Sequence, residues 1–589
     1  MVKGGEFLIK ETASADVMSR DALSEEQKMF AQTAHDFIAN RVHPNVQKID
    51  KQDPELVVQL MEESAELGLL GASVPEEYGG MGVDLVTDSV INEEIGKGHS
   101  FAAAFAAHTG IGTLPILYYG TEEQKNKYLP GLVSGKLKAS YCLTEPGSGS
   151  DALGAKTKAV LSDDGKHYIL NGQKMWITNA GFADLFTVFA KIDGTQFTGF
   201  IVDAKAEGIS LGAEEDKLGI KGSSTRQVFF NNVKVPVENI LGEIGKGHKI
   251  AFNVLNIGRY KLCVLALGGS KKTTSVATQY ANERIQFNVP IASFGAIQHK
   301  LAEMAIRSYA CECATYRTAG LLDSMIEELA AQGKDKVQAK LMAAEEYSIE
   351  CAMLKVFGSE VLDFVVDEAV QVFGGTGFSE EYPVARAYRD SRINRIFEGT
   401  NEINRLLSVG MMVRKAMKGE MDLFTPAMAV QKELMSVPDF STPDSDDFFG
   451  VEKKALQNAK KAILMVAGAA VQKFMQDLEK EQEIIMNIAD MLIELFVCES
   501  VLLRTENKVK QQGAEAADIY VAMARTYISD SLERINVSGK HAIAAFNEGD
   551  MLRMMLMGLK RFTKMEAYNT VAARRKVAAR LIADGGYNL

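Results

Sequence analysis

Residues 395–401 read Arg-Ile-Phe-Glu-Gly-Thr-Asn and carry more information than any other stretch of the 589-residue chain. The one carboxylate, Glu398, stands between apolar residues and a Gly-Thr step, shortly after the glycine-rich run at 373–378. Apolar surroundings disfavour the charged form of a carboxylate and raise its pKa from about 4.3. Such a group is suited to taking a proton from the carbon next to a carbonyl. Taken alone, however, the segment is more typical of a helix start flanked by core residues.

Four further segments stand in a set order upstream. Residues 141–151 read Tyr-Cys-Leu-Thr-Glu-Pro-Gly-Ser-Gly-Ser-Asp, residues 174–179 read Lys-Met-Trp-Ile-Thr-Asn, residues 221–226 read Lys-Gly-Ser-Ser-Thr-Arg, and residues 283–287 read Glu-Arg-Ile-Gln-Phe. In this order the segments resemble the acyl-CoA dehydrogenase flavoenzyme family, over about residues 25–415. The Gly258-Arg259 step and the long C-terminal extension resemble its very-long-chain branch, of the bacterial fatty-acid β-oxidation type.

The length and the patterning predict an α+β multidomain protein. A chain of 589 residues is too long for one hydrophobic core, and its apolar fraction of 47% is ordinary for a globular protein. Apolar residues recur at the helical period from residue 25, whereas β-branched runs with Asp-Gly and Asn-Gly turns occupy the middle of the chain. The predicted parts are an N-terminal helical domain (1–140), a central β domain (141–243), a four-helix-type bundle with Glu398 (244–417), a proline-containing linker (418–450) and an extra C-terminal helical domain (451–589).

Charge and composition exclude several classes of function. The net charge of −12 argues against a nucleic-acid partner, because binding phosphates needs clustered Lys and Arg. The six cysteines and eight histidines show no metal-ligand spacing, so no metal site is expected. No signal peptide is visible, and we expect a cytoplasmic protein, or one from a matrix-type compartment after processing. Residues 101–120 lack charged side chains, but their glycines and proline favour a buried helix plus a loop over a membrane span.

The resemblance implies FAD as cofactor and an acyl-CoA thioester as substrate. In this family a base takes the α-proton while a hydride leaves the β carbon for the flavin, giving a trans-2-enoyl-CoA. Glu398 stands at the position of that base. Some members carry the base directly before an arginine on another helix, where this chain has Gly258, and this strengthens the assignment to Glu398. Gly399 would permit the close backbone approach that binding of the thioester carbonyl requires.

The flavin contacts carry over residue by residue. Thr144 matches a contact to the isoalloxazine ring, and Trp176 with Thr178 matches the pair that packs on the ring near N5. A plain Pro-Gly turn and a core tryptophan are the alternative readings of these segments. The predicted set is Tyr141, Leu143, Thr144, Gly149, Ser150, Trp176, Ile177, Thr178, Thr400 and Glu402.

A second set of flavin contacts matches positions that act from a neighbouring subunit in the family, at the adenosine and pyrophosphate end of the cofactor. This implies an oligomer, and the very-long-chain branch implies a homodimer. Gly295 stands where shorter-chain relatives have a glutamine, so one family contact is missing. The set comprises Arg284, Phe287, Gln371, Gly374 and Gly375.

Residues on the substrate side are Ser150, Asn256, Arg259 and Gly399 by the same resemblance. For Arg259 two readings stay open: it serves the CoA, or it holds the surroundings of Glu398. Ala103 and Ala107 fall where medium-chain relatives carry long polar side chains that close the acyl pocket. Two methyl groups on one helix face would deepen the pocket and favour a long acyl chain. Close packing of this helix against a neighbour is the alternative.

The resemblance names an electron-transfer flavoprotein as the electron acceptor. The C-terminal extension, rich in Met and Lys, suggests peripheral membrane contact as a further function. Three other readings stay open: a non-catalytic scaffold on the same fold, an oxidase that passes electrons to oxygen, and a nucleic-acid-associated relative, which the charge disfavours.

Overall fold

A computed structural model describes residues 2–434 and 447–589. The first region is helical, and four of its seven helices begin at a capping side chain. Ser24 and Thr121 each accept the N–H of the glutamine three residues on, whose side chain bonds back to them. The helices are α1 Glu25–Phe37, α2 Val46–Asp50, α3 Pro54–Glu66, α4 Leu85–Ile95, α5 Ser100–Ala107, α6 Leu114–Tyr119 and α7 Glu122–Val133.

The second region is an eight-stranded sheet. Its strands are β1 Ala139–Cys142, β2 Lys158–Leu161, β3 His167–Thr178, β4 Leu185–Ile192, β5 Gln196–Asp203, β6 Ile209–Leu211, β7 Thr225–Pro236 and β8 Ile240–Leu241. They pair in the order β6-β7-β3-β2-β4-β5-β8, and β1 runs parallel to β4. The register of β3 against β7 shifts between Lys174 and Ile177. This bulge re-aims the side chains between them, as bulges near functional sites do.

The third region is a bundle built around two 37-residue helices. Its elements are α8 Gly247–Glu283, the hairpin strands β9 Ile285–Gln286 and β10 Val289–Pro290, then α9 Gly295–Ala331, α10 Lys336–Glu346, α11 Ser348–Phe373, α12 Pro383–Ser391 and α13 Asn401–Met417. Helix α11 packs against α8, α9 and α13, so it lies at the centre of the bundle.

The fourth region is a second set of helices packed on the first bundle. Its helices are α14 Phe424–Leu434, α15 Gly450–Phe474, α16 Gln482–Gln512, α17 Asp518–Phe546, α18 Gly549–Phe562 and α19 Thr570–Asp584. Helix α14 lies within the segment 418–450, which was predicted as a linker. Its Pro426 is compatible with a helix because it stands in the first turn, where a proline does not interrupt helical hydrogen bonds. The prolines at 438 and 443 lie outside the described residues.

One hydrophobic core is continuous from the bundle into the extension. It includes Tyr309 of α9, Phe496 of α16 and Leu581 of α19, all buried. The N-terminal segment joins it through Phe7, whose ring meets that of Phe496 at a centroid distance of 5.1 Å. Residues 451–589 therefore share a core with the bundle.

Within residues 2–434 and 447–589, two helical stretches are long and apolar enough to cross a membrane, Ser100–Tyr119 and Gly247–Glu283. In both, more than 70% of the most apolar window is buried inside the protein, as in core helices of other folds. The first comprises α5, a π-helical turn and α6, so the predicted loop is largely a second helix.

Buried charges join the N-terminal region, the bundle and the extension. Glu93 of α4 and Glu312 of α9 are almost fully inaccessible to solvent, and Lys271 of α8 forms ion pairs with both. Arg504 of α16 pairs with Glu312 and with Asp21, and Arg20 of the N-terminal region pairs with Glu93 at 3.3 Å. Burial alone would raise the pKa of Glu312, but the surrounding cations lower it well below its ordinary value.

We expect Arg504→Met to lower the free energy of unfolding by about 3–5 kcal/mol, because it leaves the buried Glu312 carboxylate short of a partner. The unfolding midpoint of the FAD-saturated protein, followed by fluorescence, should fall by several degrees. Lys576→Met is the matched control, since Lys576 pairs with Asp518 at the surface, where ion pairs contribute little. Equal shifts in the two variants would contradict this role of the cluster.

Candidate active site

A cavity of about 1560 Å³ lies between the sheet and the bundle. Strand ends and loops of the β region form one wall, and α8 with the start of α13 forms another. The predicted site residues that it brings together are Ala107, Tyr141, Leu143, Thr144, Gly149, Ser150, Trp176, Ile177, Thr178, Asn256, Arg259, Glu398, Gly399 and Thr400.

The loop that presents Glu398 has an unusual backbone. Glu398 has φ +57° and Gly399 has φ +83°, so two consecutive residues are left-handed, which is uncommon for a residue with a Cβ. Arg259 Nε donates to the Glu398 carbonyl at 3.3 Å, and Asn404 Nδ2 donates to the Gly399 carbonyl at 2.8 Å. Thr400 caps α13 by accepting the N–H of Ile403. Side chains of α8 and α13 thus hold the loop in this conformation.

The carboxyl group of Glu398 has the properties of a base. Burial raises its pKa to about 7, while the charges of Arg259 and Lys355 act in the opposite direction. Its Oε2 has no hydrogen-bond partner among the described residues. A Cβ on Gly258 would come within 2.7 Å of Oε2, so a side chain there would displace the carboxylate. The glycine that the sequence places before Arg259 therefore makes room for Glu398.

Two buried cations lie near this carboxylate. Arg259 NH1 donates to Asn256 Oδ1 at 2.8 Å, and burial lowers the pKa of Arg259. Lys355 is fully buried and donates to Asn401 Oδ1 at 2.7 Å. Burial lowers the pKa of Lys355 to about 7, and the charge of Glu398 opposes this shift. Sequence reasoning missed Lys355; the only signal was a lysine within the apolar run at 351–357.

The opposite wall fits a large planar cofactor. Trp176, in the β3 bulge, has φ +60° and exposes 52% of its surface, although it is the one tryptophan of the chain. The loop at 143–151 is held against β3, because buried Lys174 of β3 forms an ion pair with Glu145 of this loop at 2.7 Å. The hydroxyl of buried Tyr141 has no partner among the described residues, so a polar donor or acceptor is open to a ligand.

Several predicted residues lie outside the cavity wall. Ala103 is half-buried and does not line it, so only Ala107 of the predicted pair does. Glu402 is exposed in the first turn of α13. The set predicted to act from a neighbouring subunit is exposed at the surface: Arg284, Phe287, Gln371, Gly374 and Gly375. The segments around 284–287 and 371–375 that carry this set lie side by side, since the rings of Tyr280 and Phe373 stack with their centroids 3.8 Å apart. Their role in a second subunit stays a prediction.

Comparison with known proteins assigns the family. Family models for the N-terminal, middle and C-terminal domains of acyl-CoA dehydrogenases match residues 24–136, 140–233 and 245–411, and a further C-terminal-domain model matches residues 458–561. The chain is 48% identical over 577 residues to a "Probable acyl-CoA dehydrogenase" of Bacillus subtilis, covering 98% of this chain and 97% of that protein. This chain belongs to the acyl-CoA dehydrogenase family.

Two further relatives refine this assignment. The crystal structure of an acyl-CoA dehydrogenase from Bacillus anthracis, complexed with FAD, is 49% identical and superposes over the full length of both chains with a TM-score of 0.97. The human "Very long-chain specific acyl-CoA dehydrogenase, mitochondrial" is 41% identical over 400 residues, which is 65% of this chain and 58% of that protein. The predictions of family, multidomain α+β fold, FAD as cofactor and acyl-CoA dehydrogenase as enzyme class are confirmed.

We expect Glu398→Gln to stabilise the FAD-saturated protein more at pH 8 than at pH 5. The folded-state pKa of Glu398 is raised to about 7, so between about pH 4.5 and 7 the unfolded chain releases its proton first and stability falls as pH rises. The variant lacks this penalty, and its unfolding midpoint should exceed that of the wild type only at the higher pH. Glu402→Gln is the control, because the pKa of Glu402 is lowered. An equal difference at both pH values would refute an elevated pKa at Glu398.

Proposed function

We propose that this dehydrogenase oxidises long-chain acyl-CoA to trans-2-enoyl-CoA, with Glu398 as the base that removes the α-proton. The observation that carries the proposal is the unpartnered carboxylate of Glu398 in the cavity wall, with a pKa near 7. A base with a pKa near the working pH is deprotonated often enough to act and basic enough to take the proton.

The loop that carries Glu398 also supplies donors for the thioester carbonyl. The N–H groups of Glu398 and Gly399 have no acceptor within 2–434 and 447–589, whereas their carbonyls accept from Arg259 and Asn404. An N–H aimed at the carbonyl oxygen would stabilise the enolate that forms as the proton leaves. Base and donor then come from the same residue, so their separation is set by the loop.

Thr144, Ser150, Trp176, Thr178 and Thr400 are proposed to hold the cofactor in the cavity. Bound FAD would accept the hydride from the β carbon of the substrate. Tyr141, Leu143, Gly149 and Ile177 complete this wall, and Glu402 is proposed as a further flavin contact. The exposed surface set would act on the flavin of a neighbouring subunit in a homodimer.

Chain length is proposed to depend on Ala107. Its methyl group lines the cavity, and neighbouring apolar residues of the wall include Ile111, Phe252 and Leu255. Each CH₂ group buried there contributes about 0.8 kcal/mol, which favours long chains. Asn256, Arg259 and Ser150 would contact the thioester and the CoA arm. The proposed physiological setting is the bacterial cytoplasm, with an electron-transfer flavoprotein as acceptor; peripheral membrane contact through the extension remains a prediction.

Anaerobic addition of a C16 acyl-CoA to the purified yellow protein should bleach the flavin absorbance band. Glu398→Gln should keep its FAD and stay yellow, because no base removes the α-proton. A wild-type protein that binds FAD but ignores acyl-CoA thioesters of every length would overturn the proposed reaction. Rapid reoxidation by air after bleaching would favour the oxidase alternative.

Replacing Ala107 by Leu should shorten the preferred acyl chain. Loss of burial for two CH₂ groups costs about 1.6 kcal/mol, so kcat/KM for C16 should fall about 15-fold relative to that for C8. Ala106→Leu is the control, since Ala106 is on the same helix but does not line the cavity. Chain-length profiles over C4 to C20 would measure this, and identical profiles for the two variants would exclude Ala107 as a determinant.

A further inference from the structure

The extension reaches the catalytic loop through a series of polar contacts. Helix α16 of the extension packs against α13, the helix that begins directly after Glu398, Gly399 and Thr400. Asp490 of α16 accepts a hydrogen bond from Arg405 Nε of α13 at 2.7 Å. The other edge of the Arg405 guanidinium is bonded to Glu360 of α11. Arg405 Nη1 lies 2.8 Å from Glu360 Oε1, and Arg405 Nη2 donates to Glu360 Oε2 at 3.0 Å.

Glu360 carries the contact back to the loop. Its Oε1 accepts from Asn401 Nδ2 at 3.0 Å, and Asn401 is a buried residue three positions after Glu398. The amide oxygen of Asn401 accepts from Lys355 at 2.7 Å and from Ser359 at 3.2 Å. The series therefore ends at the first residue of α13 and at the buried ammonium whose charge acts on Glu398.

The hydrogen bonds and ion pairs of this series are suited to positioning α13 and contribute little to the stability of the fold. The side chains of Asp490 and Glu360 are about 40% exposed, so their ion pairs with Arg405 add little to the free energy of folding. The shared apolar core already joins the extension to the bundle. A planar guanidinium bonded on two sides is, in contrast, strictly directional, and it sets the rotation of α13 relative to α11.

We infer that Asp490 and Arg405 are positioning residues for the catalytic loop, and that the C-terminal extension thereby sets the placement of Glu398. Asp490 orients Arg405, Arg405 orients Glu360, and Glu360 fixes Asn401 and with it the start of α13. The effect on the reaction rests on the proposed role of Glu398, whereas the effect on the loop does not. The extension is then part of the active-site scaffold and not only a cover for the bundle.

The test compares Asp490→Asn with Glu494→Gln in the full-length FAD-bound protein. Glu494 lies one turn further along α16 and forms an ion pair of the same kind at 2.6 Å, but with Arg534 inside the extension. Hydrogen exchange followed by mass spectrometry reads the loop directly in a peptide covering 395–405, in which Ile403 and Asn404 donate to Thr400. Exchange there should be at least threefold faster in Asp490→Asn and unchanged in Glu494→Gln.

The second readout is the rate of flavin reduction by saturating acyl-CoA under anaerobic conditions. Because small misplacement of a reacting group costs up to about 100-fold, we expect about a tenfold fall in Asp490→Asn, with FAD content, KM and unfolding midpoint unchanged. In an Asn401→Ser background the same substitution should have less than a twofold effect, since the series is already broken.

Three results would overturn the inference. They are equal exchange in the two variants, a rate loss that comes with lost FAD or a lowered midpoint, and full additivity with Asn401→Ser. A wild-type flavin that no acyl-CoA bleaches would instead refute the proposed reaction, and the exchange measurement would still decide whether Asp490 holds the loop.

Discussion

The arrangement of the domains depends on two carboxylates that are buried where the chain's helical regions meet. Glu93 can remain ionised in the core because Lys271 and Arg20 lie beside it, and Glu312 because Lys271 and Arg504 lie beside it. Lys271 comes from the bundle, Arg504 from the extension and Arg20 from the N-terminal region, so each region supplies a charge that another requires. Apolar contacts alone would tolerate small shifts between these regions, whereas the ion pairs require one relative placement.

In the active site, burial and nearby cations again act on a carboxylate, but here burial dominates and the pKa is raised. No described residue hydrogen-bonds to Glu398 Oε2, and the two cations nearby lower the pKa of Glu398 less than burial raises it. The left-handed backbone that presents it is unfavourable for a glutamate and persists because Arg259 and Asn404 bind the loop carbonyls. Rigid helices on both sides supply these contacts, which fix the placement of the Glu398 loop in the cavity wall.

The bundle connects these two features. Helix α8 contributes Lys271 to the buried charges and Arg259 to the site, and α11 contributes Lys355 beside the loop. The extension packs on the outer side of this bundle and shares its core, so a change there can reach the site through helix placement without touching a ligand.

The sequence by itself determined the class of each region and singled out Glu398 as the proposed base. Helical and strand periodicities are local properties, and Glu398 follows from an ordered set of motifs. The tertiary structure decided what depends on distant residues: that Lys355 lies near Glu398, that Ala107 but not Ala103 reaches the cavity, and that Trp176 is turned outward by a bulge. Residues 424–434 were predicted as linker, yet they form a helix because the extension offers an apolar surface to pack against. Side-chain direction and burial arise from contacts across the chain, which no local pattern encodes.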